Sequence, residues 1–155
     1  VHPNCRAVDE ILERAGAPGR VQILPEAVPT AAAAAALVGV EVGAIANSLV
    51  FATAENEPLL VMTSGAHRVD TGKVAALAGT ARLRRADPDF VYQHTAQRIG
   101  GVAPVGHPRP LRTLVDVALA DYPEIWAAGG IPHAVFPTTF DELLKLTGGE
   151  PAEVA

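Results

Sequence analysis

The sequence predicts an α+β domain with a mixed β-sheet. Three observations lead there: short apolar, β-branched-rich runs outnumber the helical segments, the two kinds follow one another in irregular order, and 14 glycines with 13 prolines cut the chain into short pieces without forming a linker. A repeated βαβ chain would alternate strand and helix regularly. No internal repeat or composition shift marks a boundary, so residues 1–155 are expected to form one domain.

The elements follow from local chemistry. Asn4 can cap a first helix whose Val8, Ile11, Leu12 and Ala15 share one face, and Gly16 is placed to end it. Arg20 to Leu24 reads as a short strand. Pro29-Thr30 opens a helix over Ala31 to Val38, where six alanines supply propensity without bulk and Gly39 stops the run. Ser48 to Thr53 and Leu59 to Thr63 form a hairpin around Glu55-Asn56-Glu57-Pro58, and their continuous apolar character predicts central strands covered on both faces. Asp70 caps a helix over Thr71 to Ala78, Ala81 to Arg85 reads as a strand, and Asp87-Pro88 starts another helix. Gly100 to Pro110 carries too many breakers for either periodic element and predicts a loop of fixed shape. Strands are expected at Leu111 to Val117, Glu124 to Ala128 and His133 to Phe136. Thr139 and Glu142 are spaced as a capping box for a terminal helix that stops at Gly148-Gly149.

Composition narrows the function classes. The chain is 49% hydrophobic and 19% charged, with 12 basic and 17 acidic side chains and a formal net charge of −5. That apolar content builds a core and excludes a disordered chain. The single cysteine, Cys5, excludes a disulfide scaffold and reads as a small apolar residue. No run reaches the roughly 18 apolar residues of a membrane span and no leader-like pattern opens the sequence, so a cytoplasmic protein without membrane contact is the expectation. The acidic balance argues against a broad nucleic-acid-binding face, and no DNA partner is expected.

The strong catalytic motifs are absent. Gly72-Lys73 lacks the upstream glycine of a P-loop and is followed by Val74, while His2, His67, His94, His107 and His133 show no metal-ligand spacing. The two serines, Ser48 and Ser64, lie outside any nucleophile-elbow context. Neither a metal nor a cofactor is expected. What stands out is a set of small and polar residues at strand ends: Thr30, Asn47-Ser48, Ser64-Gly65, Gly100 to Pro104, and Gly129-Gly130 with His133. Glycines there allow backbone N–H groups to converge on a carbonyl oxygen or oxyanion. Taken singly, each glycine pair reads first as an ordinary turn. Asn47 either satisfies strand-end backbone groups or orients a ligand. Asp116, inside the apolar Leu114 to Val117 run, needs a partner if buried and could anchor an amine or hold the loop. Arg82, Arg84 and Arg85 alternate across a strand, so two share a face.

Several segments in order resemble the YbaK/EbsC family of aminoacyl-tRNA deacylases, also found as the editing insertion of bacterial prolyl-tRNA synthetases. They are Thr30-Ala31, Gly39-Val40 leading to Ile45-Ala46-Asn47-Ser48-Leu49-Val50-Phe51, Ser64-Gly65 with Arg68-Val69-Asp70, Arg85-Ala86-Asp87-Pro88, Gly100 to His107, Glu124 to Gly130, and His133 to Phe136. The resemblance implies a barrel-like mixed sheet flanked by helices and a cleft for the aminoacylated 3′ end of tRNA. It implies hydrolysis of the ester joining a small misacylated amino acid to the terminal ribose, without a cofactor. It places Asn47 and the loop Gly100, Gly101, Val102, Ala103 and Pro104 at the reaction, while the strand-end and loop-border residues Thr30, Ser48, Ser64, Gly65, His107, Asp116, Gly129, Gly130 and His133 are the substrate-binding candidates on their own residue chemistry. A synthetase is the second partner class it allows. Many members carry a lysine where this chain has Asn47, which leaves open a non-catalytic module that binds tRNA ends, a synthetase or a small molecule.

Overall fold

The computed structural model describes residues 1–155. In chain order the elements are α1 (Pro3–Arg14), β1 (Gln22–Ile23), α2 (Ala31–Val38), β2 (Ile45–Thr53), β3 (Pro58–Ser64), α3 (Thr71–Ala78), β4 (Leu83–Arg85), α4 (Pro88–Thr95), β5 (Arg112–Asp116), β6 (Ile125–Ala128), β7 (Ala134–Thr138), α5 (Phe140–Thr147) and β8 (Glu150–Ala152). Short 3-10 turns lie at Val42–Ala44 and Val117–Asp121. The architecture is the expected α+β with a mixed sheet. Strand order is β1-β7-β6-β2-β3-β5-β8, with β4 beside β2, so the barrel-like sheet is open between β1 and β8.

β2 and β3 occupy the centre, as their apolar runs predict. Val50, Leu60 and Met62 enter a core completed by Val8 and Leu12 of α1, Phe90 of α4 and Leu143 of α5. On the opposite face Phe51, Leu59 and Val61 pack against Val74 of α3. Further along that face Ile45, Trp126 and Val135 meet Ala34 and Ala35 of α2. Strands covered on both sides show no polar alternation.

Two local expectations are corrected. The cap of α1 is His2, whose Nδ1 accepts from the Asn4 N–H at 3.0 Å. Pro3 lacks an N–H and has the φ of a first helical residue, so the helix starts ahead of Asn4. The Asn4 side chain instead donates to the Gly130 carbonyl at 3.1 Å, tying α1 to the turn after β6. The chain also does not end structurally at Gly148: β8 adds parallel to β5, pairing Pro151 with Val115. Three residues containing a proline carry no readable strand pattern, and such a proline suits only an edge. The cap residues Thr30, Asp70, Asp87 and Thr139 each accept an N–H from the first turn of their helix, as expected. No helix is long and apolar enough to cross a membrane.

Candidate functional site

The site begins as a gap in the sheet. One edge of β2 is paired with β3 along Ala46 to Ala52. The other edge is shared: β6 takes Ile45 and Ala46, β4 takes Phe51 to Thr53, and no strand lies opposite Asn47 to Val50. The Ile45 carbonyl accepts from Gly65 on the β3 side, and the Val50 carbonyl accepts from Ala86 on the other. Backbone groups alternate sides along a strand, so the N–H and C=O of Ser48 point into the gap.

A cavity of about 300 Å³ fills this gap. Its walls are α2 (Ala31, Ala34, Val38), the β6 and β7 residues Trp126, Ala128 and Val135, and on the far side Val91 of α4 with Ile99, Gly100 and Val102. The alanine run thereby acquires a purpose beyond helix propensity, because side chains of one carbon leave room between helix and sheet. The volume reaches the lower end of small-molecule sites, roughly 300 Å³. It suits a compact group rather than a large ring system.

Several polar groups bordering the cavity have no partner within the protein. Asn47, the third residue of β2, is exposed and its amide makes no side-chain hydrogen bond, so it does not satisfy strand-end backbone groups. The N–H groups of Gly100 and Val102 find no acceptor in the chain. The indole N–H of Trp126 is buried without one. Arg85 is the single charged side chain in the lining.

The loop is held rigidly from behind. Ala96 closes α4 with φ 59°, in the left-handed region, and the chain then turns Gln97 into the interior at 1% exposure. Gln97 Oε1 accepts from the Ala103 N–H at 2.7 Å, and its Nε2 donates to the Val105 carbonyl at 3.4 Å. His107 Nε2 donates to the Ala103 carbonyl at 2.8 Å. Burial holds the His107 imidazole below its ordinary pKa, an effect partly offset by that bond. Both polar groups of Ala103 are therefore occupied. Gly100 has φ +95°, and a Cβ on Gly101 would run into the Ile131 backbone, so the loop sits directly on the turn before β7.

Of the sequence-derived candidates, the cavity brings together Thr30, Asn47, Ser48, Gly100 and Val102. Gly101, Ala103 and Pro104 support it without lining it. His107 acts behind the loop, Gly129 and Gly130 are packed against Val21 and Asn4, and His133 lies in the turn before β7, outside the lining. Ser64 and Asp116 belong to a different place. Asp116, 1% exposed, accepts from Ser64 N at 3.0 Å, Thr63 Oγ1 at 3.4 Å, His67 Nδ1 at 2.8 Å and Ala118 N at 3.0 Å. Ser64 Oγ donates to the Gly43 carbonyl at 2.8 Å, and Gly65 lies against Val42 and Ala31. Sequence reasoning passed over Gln97 and the α2 wall. Only a polar residue directly after a helix end, ahead of a breaker-rich loop, signals the first, and nothing local signals the second.

A model of the aminoacyl-tRNA editing domain matches residues 25–146. The crystal structure of a candidate trans-editing enzyme for prolyl-tRNA synthetase superposes with a TM-score of 0.91 at 44% identity, covering 99% of this chain and 98% of that one. A hypothetical protein of known structure matches with a TM-score of 0.87 at 29% identity over 96% of this chain and 98% of its own. The uncharacterized protein YwhH of Bacillus subtilis (strain 168) is 29% identical over 114 residues, 74% of this chain and 72% of its own length.

Proposed function

The chain belongs to the aminoacyl-tRNA editing domain family, and on that premise we propose that it is a free-standing trans-editing hydrolase that removes a small, wrongly attached amino acid from the 3′ end of tRNA. One observation supports this most: a compact cavity, charged only at Arg85, whose border carries backbone N–H groups without acceptors, those of Gly100 and Val102. Such donors are suited to a carbonyl oxygen that gains charge as the ester is attacked. Water adds to the ester carbonyl, the bond to the ribose oxygen breaks, and the amino acid leaves as the ribose regains its hydroxyl proton. The cavity wall has no carboxylate, histidine or thiol, so no side chain there serves as base or nucleophile. The substrate's own amine or neighbouring ribose hydroxyl assists the water, and positioning supplies the rest. The Asn47 amide orients ester or water by hydrogen bonds, where a lysine would add a full charge.

The same lack of a base or nucleophile in the wall favours a second reading, a module that binds an acylated tRNA end, or a synthetase, without turnover. A deacylation panel of tRNAs carrying alanine, serine, cysteine or a mismatched proline separates the two. The hydrolase releases one of these amino acids, and Asn47→Ala lowers release by tenfold or more, about 1.4 kcal/mol in transition-state stabilisation. Intact aminoacyl-tRNA across the panel at high protein concentration leaves the binding module standing, and Asn47→Lys then tests whether charge alone creates turnover.

A further inference from the structure

The net charge of −5 conceals a segregation. Residues 82–112 carry Arg82, Arg84, Arg85, Arg98, Arg109 and Arg112 against only Asp87 and Asp89, whereas residues 21–66 contain no lysine or arginine and hold Glu26, Glu41, Glu55 and Glu57. The cavity lies between these stretches. Its α2 wall belongs to the acidic stretch, and its opposite wall, with Arg85, Val91, Ile99 and Gly100, belongs to the basic one.

Three features distinguish the basic side from an ordinary solvated face. None of the six arginines has a carboxylate within 4.0 Å, since the ion pairs of the molecule involve Arg14, His67 and Lys73 instead. Of the two local aspartates, Asp87 is engaged as the cap of α4 through the Phe90 N–H, and Asp89 sits exposed in its first turn. Next to the cavity wall, Tyr92 and Ile99 are 49% and 47% exposed, and the Arg98 guanidinium lies 4.8 Å from the Tyr92 ring centroid. An exposed aromatic ring with a guanidinium beside it offers stacking for a base and charge for a phosphate, the combination that single-stranded nucleic acid uses.

We infer that Arg85, Arg98 and Tyr92 form the docking strip for the single-stranded 3′ strand of RNA, which approaches the cavity over α4 and not over α2. Arg85, at the wall itself, meets the phosphate nearest the acyl end. Arg98 and Tyr92 take a preceding phosphate and base. The inference rests on the proposed function for the identity of the strand, but its evidence is the placement of charge and ring.

The test uses the intact protein and an acceptor-stem minihelix with a single-stranded 3′ end, with affinity read by fluorescence anisotropy at several salt concentrations and deacylation measured separately. Arg85→Gln and Arg98→Gln each weaken binding about fivefold at low salt, and each reduces the magnitude of the log-log salt slope by about 0.7. Tyr92→Ala weakens binding by about tenfold with little change in slope. Arg14→Gln, on α1, leaves affinity unchanged. Absence of RNA binding by the wild type overturns the strip, as does unchanged affinity and slope in the two arginine variants. A wild type that binds through the strip yet releases no amino acid removes the hydrolase reading and leaves the strip intact, whereas hydrolysis and RNA affinity both unaffected in the variants do the reverse.

Discussion

Two polar regions on β2 and its neighbours use their hydrogen-bonding groups in opposite ways. Around Asp116 both carboxylate oxygens are engaged by the protein itself: Oδ2 meets the Ser64 N–H, the Thr63 hydroxyl and His67 Nδ1, and Oδ1 accepts from the Ala118 N–H. Around Asn47 the reverse holds, with an amide, two loop N–H groups and an indole N–H lacking partners beside an open cavity. A buried charge saturated by its own fold stabilises that fold. Polar groups left unsatisfied are available to something that arrives. The difference separates a folding anchor from a binding site, although residues of both regions look alike in sequence, as short polar interruptions of apolar strands.

Mutation can break that contrast. The largest effect is expected at the anchor: Asp116→Ala removes four bonds and leaves the Ser64 N–H buried without an acceptor, while the Thr63 hydroxyl keeps only the Ser64 carbonyl at 3.3 Å, costing about 3 kcal/mol or more in urea unfolding. By contrast Asn47→Ala, exposed and unbonded, shifts stability by no more than about 0.5 kcal/mol while affecting release or binding. If both variants lost equal stability, the distinction would collapse. An intermediate effect is expected at Gly101→Ala, whose added methyl displaces the loop from the Ile131 backbone. Overpacking of this kind costs about 1–3 kcal/mol, and deacylation falls by more than the unfolded fraction explains because Gly100 and Val102 move with the loop.

The smallest effect concerns pH. His107 has a folded-state pKa lowered from 6.5, chiefly by burial. The unfolded chain therefore binds more protons than the folded one below that value, and stability falls as pH drops through the window between the unfolded and the folded pKa. The contribution is fully present above about 6.5 and levels off once the folded imidazole is itself protonated. In His107→Gln, urea midpoints measured from pH 7.5 down to 5 lose that part of their slope. An unchanged slope would show that the loop does not depend on a neutral imidazole.

Most of the fold was legible because its signals are local. Thr30, Asp87 and Thr139 cap the helices they announce, and the apolar runs of β2 and β3 mark central strands. The failures have local causes as well. Pro3 moved the cap of α1 to His2, and β8 is too short to show a period. The site was legible only as a collection of interruptions. Thr30, Asn47, Ser48, Gly100 and Val102 converge on the cavity, but Ser64 and Asp116 turn away into their own network.

The sequence by itself determined the types of the elements other than β8, the two-sided burial of the central strands, the membership of a family and the unequal placement of charge, because periodicity, capping, composition and ordered motifs are written along one dimension. Only the tertiary structure decided which polar groups are satisfied. Whether Asp116 meets His67, whether Gln97 reaches Ala103, and whether Asn47 meets nothing all depend on contacts between residues distant in sequence or turned inward at a helix end. Hydrogen bonds are short-ranged and directional, so the fold has to bring donor and acceptor together before either can be counted as occupied or free.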